Sequence, residues 1–256
     1  MPDPFPQLPH PPIDEVVCGF VFDPLPGIDV LDLGVYWEEV RSEYPKKQLQ
    51  PPLMDNNNIL HIGPPGVRAW LVSEDEERLL QLQPDRFYMN WRARGGDYPH
   101  FSDRPERDGN CLKLLALKEF DRFLRYMLPR SGQQQLGLRR VELTKIDKLV
   151  RGRHWSDFDD LCALLKVANV FGDIKAVDPK QLQLRLVEAE DSDTTFVTVK
   201  LDEHEVRIEA RMAMRYTSGD HAALLDKANH RLNDVFFGLL NETELERFER
   251  SPDDAA

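Results

Sequence analysis

The sequence predicts an α+β protein with two tandem units, each of which follows the order strand, helix, antiparallel meander, helix. The spacing of apolar residues alternates along the chain between steps of three or four, typical of helices, and steps of two, typical of strands. Elements of the second half also begin about 125 residues after their counterparts in the first half, as an internal duplication would produce. The predicted domains are a proline-rich extended lead-in (1–12), a first α+β half (13–130), a second α+β half (131–250) and an acidic tail (251–256).

The first half opens with a strand and an amphipathic helix. Prolines crowd the first 12 residues, which predicts an extended lead-in. The stretch "IDEVVCGFVF" is rich in β-branched and aromatic residues and predicts a strand from Ile13. A helix follows, with Asp29 as its cap and Pro45 at its end. Its apolar stripe consists of Val30, Leu33, Trp37, Val40 and Tyr44.

The rest of the first half predicts a four-stranded antiparallel meander and a second helix. The four strands are short apolar runs separated by turn residues, namely "ILHIG", "VRAWLVS", "RLLQLQ" and "RFYMNWR". In the last run Phe87, Met89 and Trp91 share one face, which we expect to be the core face. The helix in "CLKLLALKEFDRFLRYMLP" is expected to end at Pro129, because proline cannot continue the helical hydrogen bonds.

The second half predicts a similar order of elements. A strand in "LGLRRVELTKI" precedes a helix in "SDFDDLCALLKVANVFG", for which Ser156 is the expected cap. Three strands and a closing helix follow, in "QLQLRLVEAE", "TTFVTVKL", "EVRIEARMAMR" and "DHAALLDKANHRLNDVFFGLL". Two such units, each with a sheet gripping helices, form a pseudo-duplication similar to the saddle-shaped TATA-binding-protein-like fold. That similarity rests on element order and implies no function.

Composition indicates a globular cytoplasmic protein. The chain of 256 residues carries 33 Lys and Arg against 45 Asp and Glu, a formal net charge of -12. This charge repels phosphate backbones and anionic lipids unless a local basic patch intervenes. The three cysteines include no CxxC pair, so neither a disulfide framework nor a thiolate zinc site is predicted. No signal peptide and no apolar run of about 20 residues occurs, so we expect no membrane association.

The sequence contains no recognisable catalytic or metal-binding pattern. The seven histidines offer no closely spaced pair for a metal, and no GxSxG, P-loop or GxGxxG motif occurs. His204 is expected in a solvated hairpin turn, and Ser218 or Asp220 as a helix cap. Cys18 and Cys162 are expected to be buried, and Cys111 is expected near solvent. We therefore predict no catalytic, metal-binding or cofactor-binding residue, and no cofactor.

The stretch "DRFYMNWRARGGDYPHFSDRPERDGN" at 85–110 is the densest in aromatic and arginine residues. Its five arginines are balanced by five acidic residues, so it lacks the positive groove that single-stranded nucleic acid requires. Arginine and aromatic side chains are enriched at protein interfaces, and the loop that follows the strand has about 18 residues, which is long for a structureless connection. The expected partner-binding residues are Arg92, Arg94, Tyr98, Pro99, His100 and Phe101.

Several stretches resemble a sporadically distributed, uncharacterised family of prokaryotic proteins of about this length. They are "PPIDEVVCGFVF", "YWEEVRSEYP", "MNWR" followed by "YPHF", "LGLRRVEL" and "ANHRLNDVFFGLLNETEL". The resemblance covers nearly the whole chain. It implies a stand-alone cytoplasmic protein with the patchy occurrence typical of mobile, toxin–antitoxin or phage-defence gene neighbourhoods, and it implies no catalytic residue.

These observations leave three functional hypotheses. The favoured one is a non-enzymatic protein-binding or regulatory accessory protein that acts on a protein partner from its own operon, of the phage-defence, CRISPR-associated or toxin–antitoxin kind. An alternative is nucleic-acid binding on a sheet face through Arg207, Arg211 and Arg215, which alternate along one strand. The third is an enzyme whose residues converge only in three dimensions.

Overall fold

A computed structural model describes residues 5, 6, 8–53, 67–95, 98–102, 111–166, 182–190 and 193–249. The strands are β1 (Ile13–Phe22), β2 (Lys46–Gln50), β3 (Arg68–Val72), β4 (Arg78–Gln83), β5 (Arg86–Arg92), β6 (Leu138–Val150), β7 (Leu182–Glu190), β8 (Asp193–Leu201) and β9 (Glu205–Arg215). The helices are α1 (Val30–Val40), α2 (Leu112–Ser131), α3 (Phe158–Leu164) and α4 (His221–Leu239), followed by a 3₁₀ helix at Glu242–Phe248.

The predicted fold class is wrong in how the strands assemble. The sequence predicts two tandem strand-helix-meander-helix units, similar to the TATA-binding-protein-like fold, in which each unit has a sheet that grips helices. Instead, the nine strands of the described residues form a single antiparallel sheet in the order β2-β3-β4-β5-β1-β6-β9-β8-β7. The first strands of the two predicted halves, β1 and β6, are neighbours in this sheet, because strand edges left open by separate sheets gain hydrogen bonds by pairing.

The chain divides into two compact units whose segments interleave. Unit 1 comprises 1–16, 143–214 and 226–256, and unit 2 comprises 17–142 and 215–225. The predicted domain boundaries after residues 12, 130 and 250 stay predictions. Residues 1–4 and 7 of the predicted lead-in, and the whole predicted acidic tail, lie outside the described residues.

In unit 2, α1 begins at a capping box. The Asp29 carboxylate accepts a hydrogen bond from Leu31 N at 2.7 Å, and the Asp32 carboxylate accepts one from Asp29 N at 3.0 Å. These bonds satisfy amide groups that the first helical turn leaves free. The buried face of α1 contains Leu33, Tyr36 and Val40 and packs on β3 and β4. Tyr44, predicted in the same stripe, is buried but lies after the helix has ended.

Helix α2 packs its aromatic side chains on β1 and β5. The rings of Phe20 and Phe120 stack with centroids 3.9 Å apart, and Phe87 lies 5.4 Å from Phe123. The prediction that this helix ends at Pro129 is wrong, because Pro129 lies inside its last turn. The helix continues to Ser131, and Gly132 ends it with a left-handed φ of 70°, a conformation that glycine adopts at low cost.

The meander of unit 2 is β2 to β5, and it differs from the prediction at its first strand. The stretch "ILHIG" lies outside the described residues, whereas β2 at Lys46–Gln50 was not predicted. Phe87, Met89 and Trp91 are buried, as the predicted core face requires. The opposite face of β5 is buried too, since Arg86 and Asn90 are 5% and 3% exposed.

Unit 1 combines the meander of β7, β8 and β9 with α3, the part of α4 from residue 226 and the 3₁₀ helix. In register, Leu186 pairs with Val197, and Val197 pairs with Ala210. Its buried core includes Leu149, Trp155, Leu161, Leu164, Ile208, Phe236 and Phe248. The cap of α3 is Asp157, which accepts from Asp160 N, and not the predicted Ser156.

None of the three cysteines, all of which the structure describes, forms a disulfide bond, and two of the three exposures differ from the prediction. Cys18 is buried as expected, whereas Cys162, also expected to be buried, is half-buried, and Cys111, expected near solvent, is buried. Cys111 immediately precedes α2, so it lies at the point where the chain enters the core. Within the described ranges, no helix is both long and apolar enough to cross a membrane.

Candidate functional sites

The predicted partner-binding segment packs on the protein through part of its length. The Tyr98 ring lies 5.3 Å from that of Trp91 and 5.3 Å from that of His100. The carbonyl oxygens of His100 and Phe101 accept hydrogen bonds from the first amides of α2, at 3.0 and 3.1 Å. These contacts hold the segment against the start of that helix.

The six predicted residues therefore differ in accessibility. Arg94 is exposed, and its guanidinium donates to the neighbouring Ala93 carbonyl at 3.1 Å. Arg92, Tyr98, Pro99 and His100 are half-buried, and Phe101 is only 3% exposed. Phe101 contributes to packing in this arrangement, and an interface role for the segment stays a prediction.

Strand β7 forms one edge of the sheet and exposes apolar side chains. It pairs with β8 on one side, and no other strand of the described residues pairs with its second side. Leu186 and Val187 are 47% and 56% exposed. An exposed edge strand offers free backbone N–H and C=O groups that another extended segment can pair with. At the opposite edge, β2 exposes Leu49, which is 64% accessible.

A groove of about 260 Å³ lies beside β7, between the sheet and α4. Its apolar lining consists of Leu186, Val197, Val235 and Leu239. At its rim an ion pair joins Glu188 of β7 to Arg231 of α4, and Asp234 adds a second carboxylate. The groove has room for one apolar side chain presented by a segment that lies along β7.

The basic residues predicted for nucleic-acid binding lie on β9, on the face opposite most of its buried residues. Arg207 forms an ion pair with Asp14 at 3.6 Å, and the Arg211 guanidinium lies 5.7 Å from the Phe196 ring. Glu209 lies between these two arginines on the same face. This arrangement mixes both charge signs, and the nucleic-acid hypothesis stays a prediction.

Unit 2 buries a carboxyl group between α1 and α2. Glu119 of α2 has 0% exposure, and neither of its oxygens has a hydrogen-bond partner in the described part of the chain. The hydroxyls of Tyr36 and Tyr44 are likewise buried without a described partner. Burial, and then the charge of Glu43, raise the pKa of Glu119 above its ordinary value.

The two tyrosines respond to the same environment. Burial, and then the nearby Glu119, raise the pKa of both hydroxyls, so both remain protonated in the physiological pH range. The Arg78 guanidinium lies over the Tyr44 ring at 5.5 Å from its centroid. The cluster thus combines one acid with two neutral hydroxyl groups in the interior.

Unit 1 buries charged groups of both signs. Lys145 and Asp147 of β6 are 6% and 4% exposed, and Lys145 Nζ donates to Asn233 Oδ1 of α4 at 2.6 Å. Burial raises the pKa of Asp147 to about 7, and the nearby Lys145 opposes that rise. Asn229 is 8% exposed, and its Oδ1 has no partner among the described residues.

His154 is a buried histidine with a structural role. Its Nδ1 accepts a hydrogen bond from Val150 N at 2.9 Å, and its ring lies 5.5 Å from that of Phe248. Burial, and then the charge of Arg153, lower its pKa to about 4, so the imidazole is neutral at physiological pH. Among the residues that the structure describes, no group of three or more His, Cys, Asp or Glu side chains could hold a metal ion.

Sequence reasoning did not identify the groove or the buried charges, although the charges left a signal. Glu119 occupies a position in the buried stripe of α2, between Ala116 and Phe123. Lys145 and Asp147 occupy the same face of β6 as the buried Val141, Leu143 and Leu149. A charged residue at an apolar position of the repeat predicts a buried polar group. The groove gives no such signal, because it depends on where α4 lies relative to β7 and β8.

No protein-family model matches the chain, and no curated protein matches it. The resemblance to an uncharacterised prokaryotic family therefore stays a prediction. A function can therefore be inferred only from the edge strand, the groove and the buried charges described above.

Proposed function

We propose that this chain is a non-enzymatic accessory protein that binds an extended segment of a protein partner by strand addition at β7. The observation that carries the proposal is the exposed edge strand beside an apolar groove. Backbone pairing provides affinity in this mode of recognition, and alternate side chains entering a pocket provide specificity. The partner is expected to be encoded in the same operon.

The charge around the groove favours a basic, apolar partner segment. The rim carries Glu188 and Asp234 against Arg231, and Glu190 follows at the end of β7. The chain as a whole has a formal net charge of -12, which steers cationic partners toward it. A segment that carries leucine and lysine two residues apart, on the same face of the added strand, can place leucine in the groove and lysine beside the rim carboxylates.

Two synthetic peptides test this proposal. Each matches the nine residues of β7 in length and carries threonine on one face, while the other face alternates Leu with Lys in one peptide and Leu with Glu in the other. We expect saturable binding of the lysine peptide, measured by fluorescence polarisation, and weaker binding of the glutamate peptide. Leu186→Glu should weaken binding of the lysine peptide by about tenfold or more, because it places charge on the apolar lining.

The opposite edge of the sheet provides a matched control. Leu49→Glu alters an exposed leucine on the other edge strand and should leave the affinity unchanged. Equal losses in both variants, or no saturable binding of the lysine peptide, would overturn strand addition at β7. If the free protein is a dimer that Leu186→Glu dissociates, the edge is occupied by a second copy, and the proposal is wrong.

A further inference from the structure

The interior between α1 and α2 contains an acid, Glu119, that accepts no hydrogen bond from the described residues. Both oxygens of Glu119, the Tyr36 hydroxyl and the Tyr44 hydroxyl are without a hydrogen-bond partner in the described residues. Buried polar groups are nearly always hydrogen-bonded, and an isolated buried carboxylate is strongly unfavourable. Glu119 is therefore better accommodated here as a neutral acid than as an anion.

An ion pair lies next to this acid and joins the two helices. Arg122, one helical turn after Glu119, donates to the Glu43 carboxylate at 2.7 Å and to the Glu39 carbonyl at 2.9 Å. The Arg122 guanidinium thus bonds to Glu43 and Glu39 and not to Glu119. The groups that influence Glu119 are Tyr36 and Glu39 of α1, Glu43 and Tyr44 after it, Arg78 of β4, and Lys118 and Arg122 of α2.

We propose that Glu119 is a proton-operated switch for the contact between α1 and α2. With its proton bound, the neutral acid allows Tyr36 and Tyr44 to close over it. When the proton leaves, the buried anion has no described donor, and α1 opens locally so that water can reach the carboxylate. This pH-dependent contact lies in unit 2, whereas the peptide site proposed above lies in unit 1. Either proposal can therefore fail without affecting the other.

The direction of the pH effect follows from proton linkage. The pKa of Glu119 is raised above its ordinary value of 4.5 by burial, so the closed state binds a proton at pH values where an unfolded chain does not. The stabilisation of the closed state is fully present below pH 4.5 and is lost as the pH rises through the raised pKa. Opening of α1 should therefore increase with pH.

Hydrogen exchange of the α1 amides tests the switch. The protection of residues 30–44 is compared between the wild-type protein and Glu119→Gln at the same pH, so that the intrinsic pH dependence of exchange cancels. We expect equal protection near pH 5, and protection at least about tenfold lower in the wild-type protein near pH 9. Asp121→Asn is the matched control on the same helix, since Asp121 is exposed and bonded only to Arg125 in the described residues. It should match the wild-type protein at every pH.

If the ratio of protection in Glu119→Gln to protection in the wild-type protein does not change with pH, the proposal is overturned. A direct titration covers the case in which Glu119→Gln does not fold. In wild-type protein, the ¹³C signal of the Glu119 side-chain carboxyl should titrate with a midpoint above 4.5. A midpoint at or below that value would also overturn the proposal.

Discussion

Glu119 of unit 2 and Asp147 of unit 1 are both buried carboxyl groups, but of these two described residues only Asp147 has a buried cation beside it on its own element. Asp147 and Lys145 are two residues apart on β6, and this spacing places both side chains on one face of the strand. Arg122 is three residues from Glu119 on α2, but its guanidinium bonds Glu43 instead. A cation that is close to a buried acid in sequence therefore compensates its charge only when both side chains are buried on the same side of their element.

The largest expected effect comes from removing the cation of unit 1. Lys145→Met should destabilise the protein by about 3 to 5 kcal/mol near pH 9, because Asp147 is left as an uncompensated buried charge. The loss should be smaller near pH 5. Burial already raises the pKa of Asp147 to about 7, and without Lys145 that pKa rises further, so at low pH the acid is neutral. Urea unfolding at both pH values measures the difference, and an equal loss at both would contradict the pairing.

A smaller loss is expected when the hydrogen bond to that cation is removed. Asn233→Ala takes away the oxygen that accepts from Lys145 Nζ at 2.6 Å. Hydrogen bonds to charged groups contribute about 1.5 to 3 kcal/mol, so a loss in this range is expected by urea unfolding. If Asn233→Ala has no effect in the wild-type protein but does in Lys145→Met, the amide supports some group other than the lysine.

The smallest expected effect is an increase in stability, and it comes from a substitution in unit 2. Glu119→Met keeps a similar volume and removes an acid without a described partner, so it should stabilise the protein by about 1 to 2 kcal/mol near pH 8. The gain should shrink as the pH falls through the raised pKa and should vanish below 4.5, where the wild-type carboxyl becomes neutral in both folded and unfolded states. Thermal unfolding across this range measures it. Destabilisation comparable to that of Lys145→Met would remove the distinction between the two units.

Most helices and strands could be predicted from the spacing of apolar residues, as the clear alternation in β9 and the stripe in α4 illustrate. The spacing identifies which face of a strand is buried but not which edges pair, so the joining of β1 and β6 in one sheet was missed. Strand β2, "KKQLQ", was missed because an edge strand with exposed polar residues lacks apolar alternation.

The candidate sites were predictable only in part. The position of Glu119 in an apolar stripe indicates burial, but its lack of a partner depends on how Arg122 turns. Exposure of Leu186 and Val187 on β7 could not be inferred, because alternating strands look alike whether they are central or at an edge. Phe101 was assigned to an interface from composition, although aromatic residues are as common in cores.

The interleaved segments of the two units have a consequence for synthesis of the chain. Residues 1–16 belong to unit 1, but the next segment of that unit begins at residue 143. A ribosome must therefore complete 17–142 before the first residues can reach the rest of their unit, and unit 2 in turn waits for 215–225. Contacts between segments this far apart form slowly. The edge of β1 that pairs with β6 stays open until residues 138–150 are translated, which makes the nascent chain dependent on protection from aggregation until then.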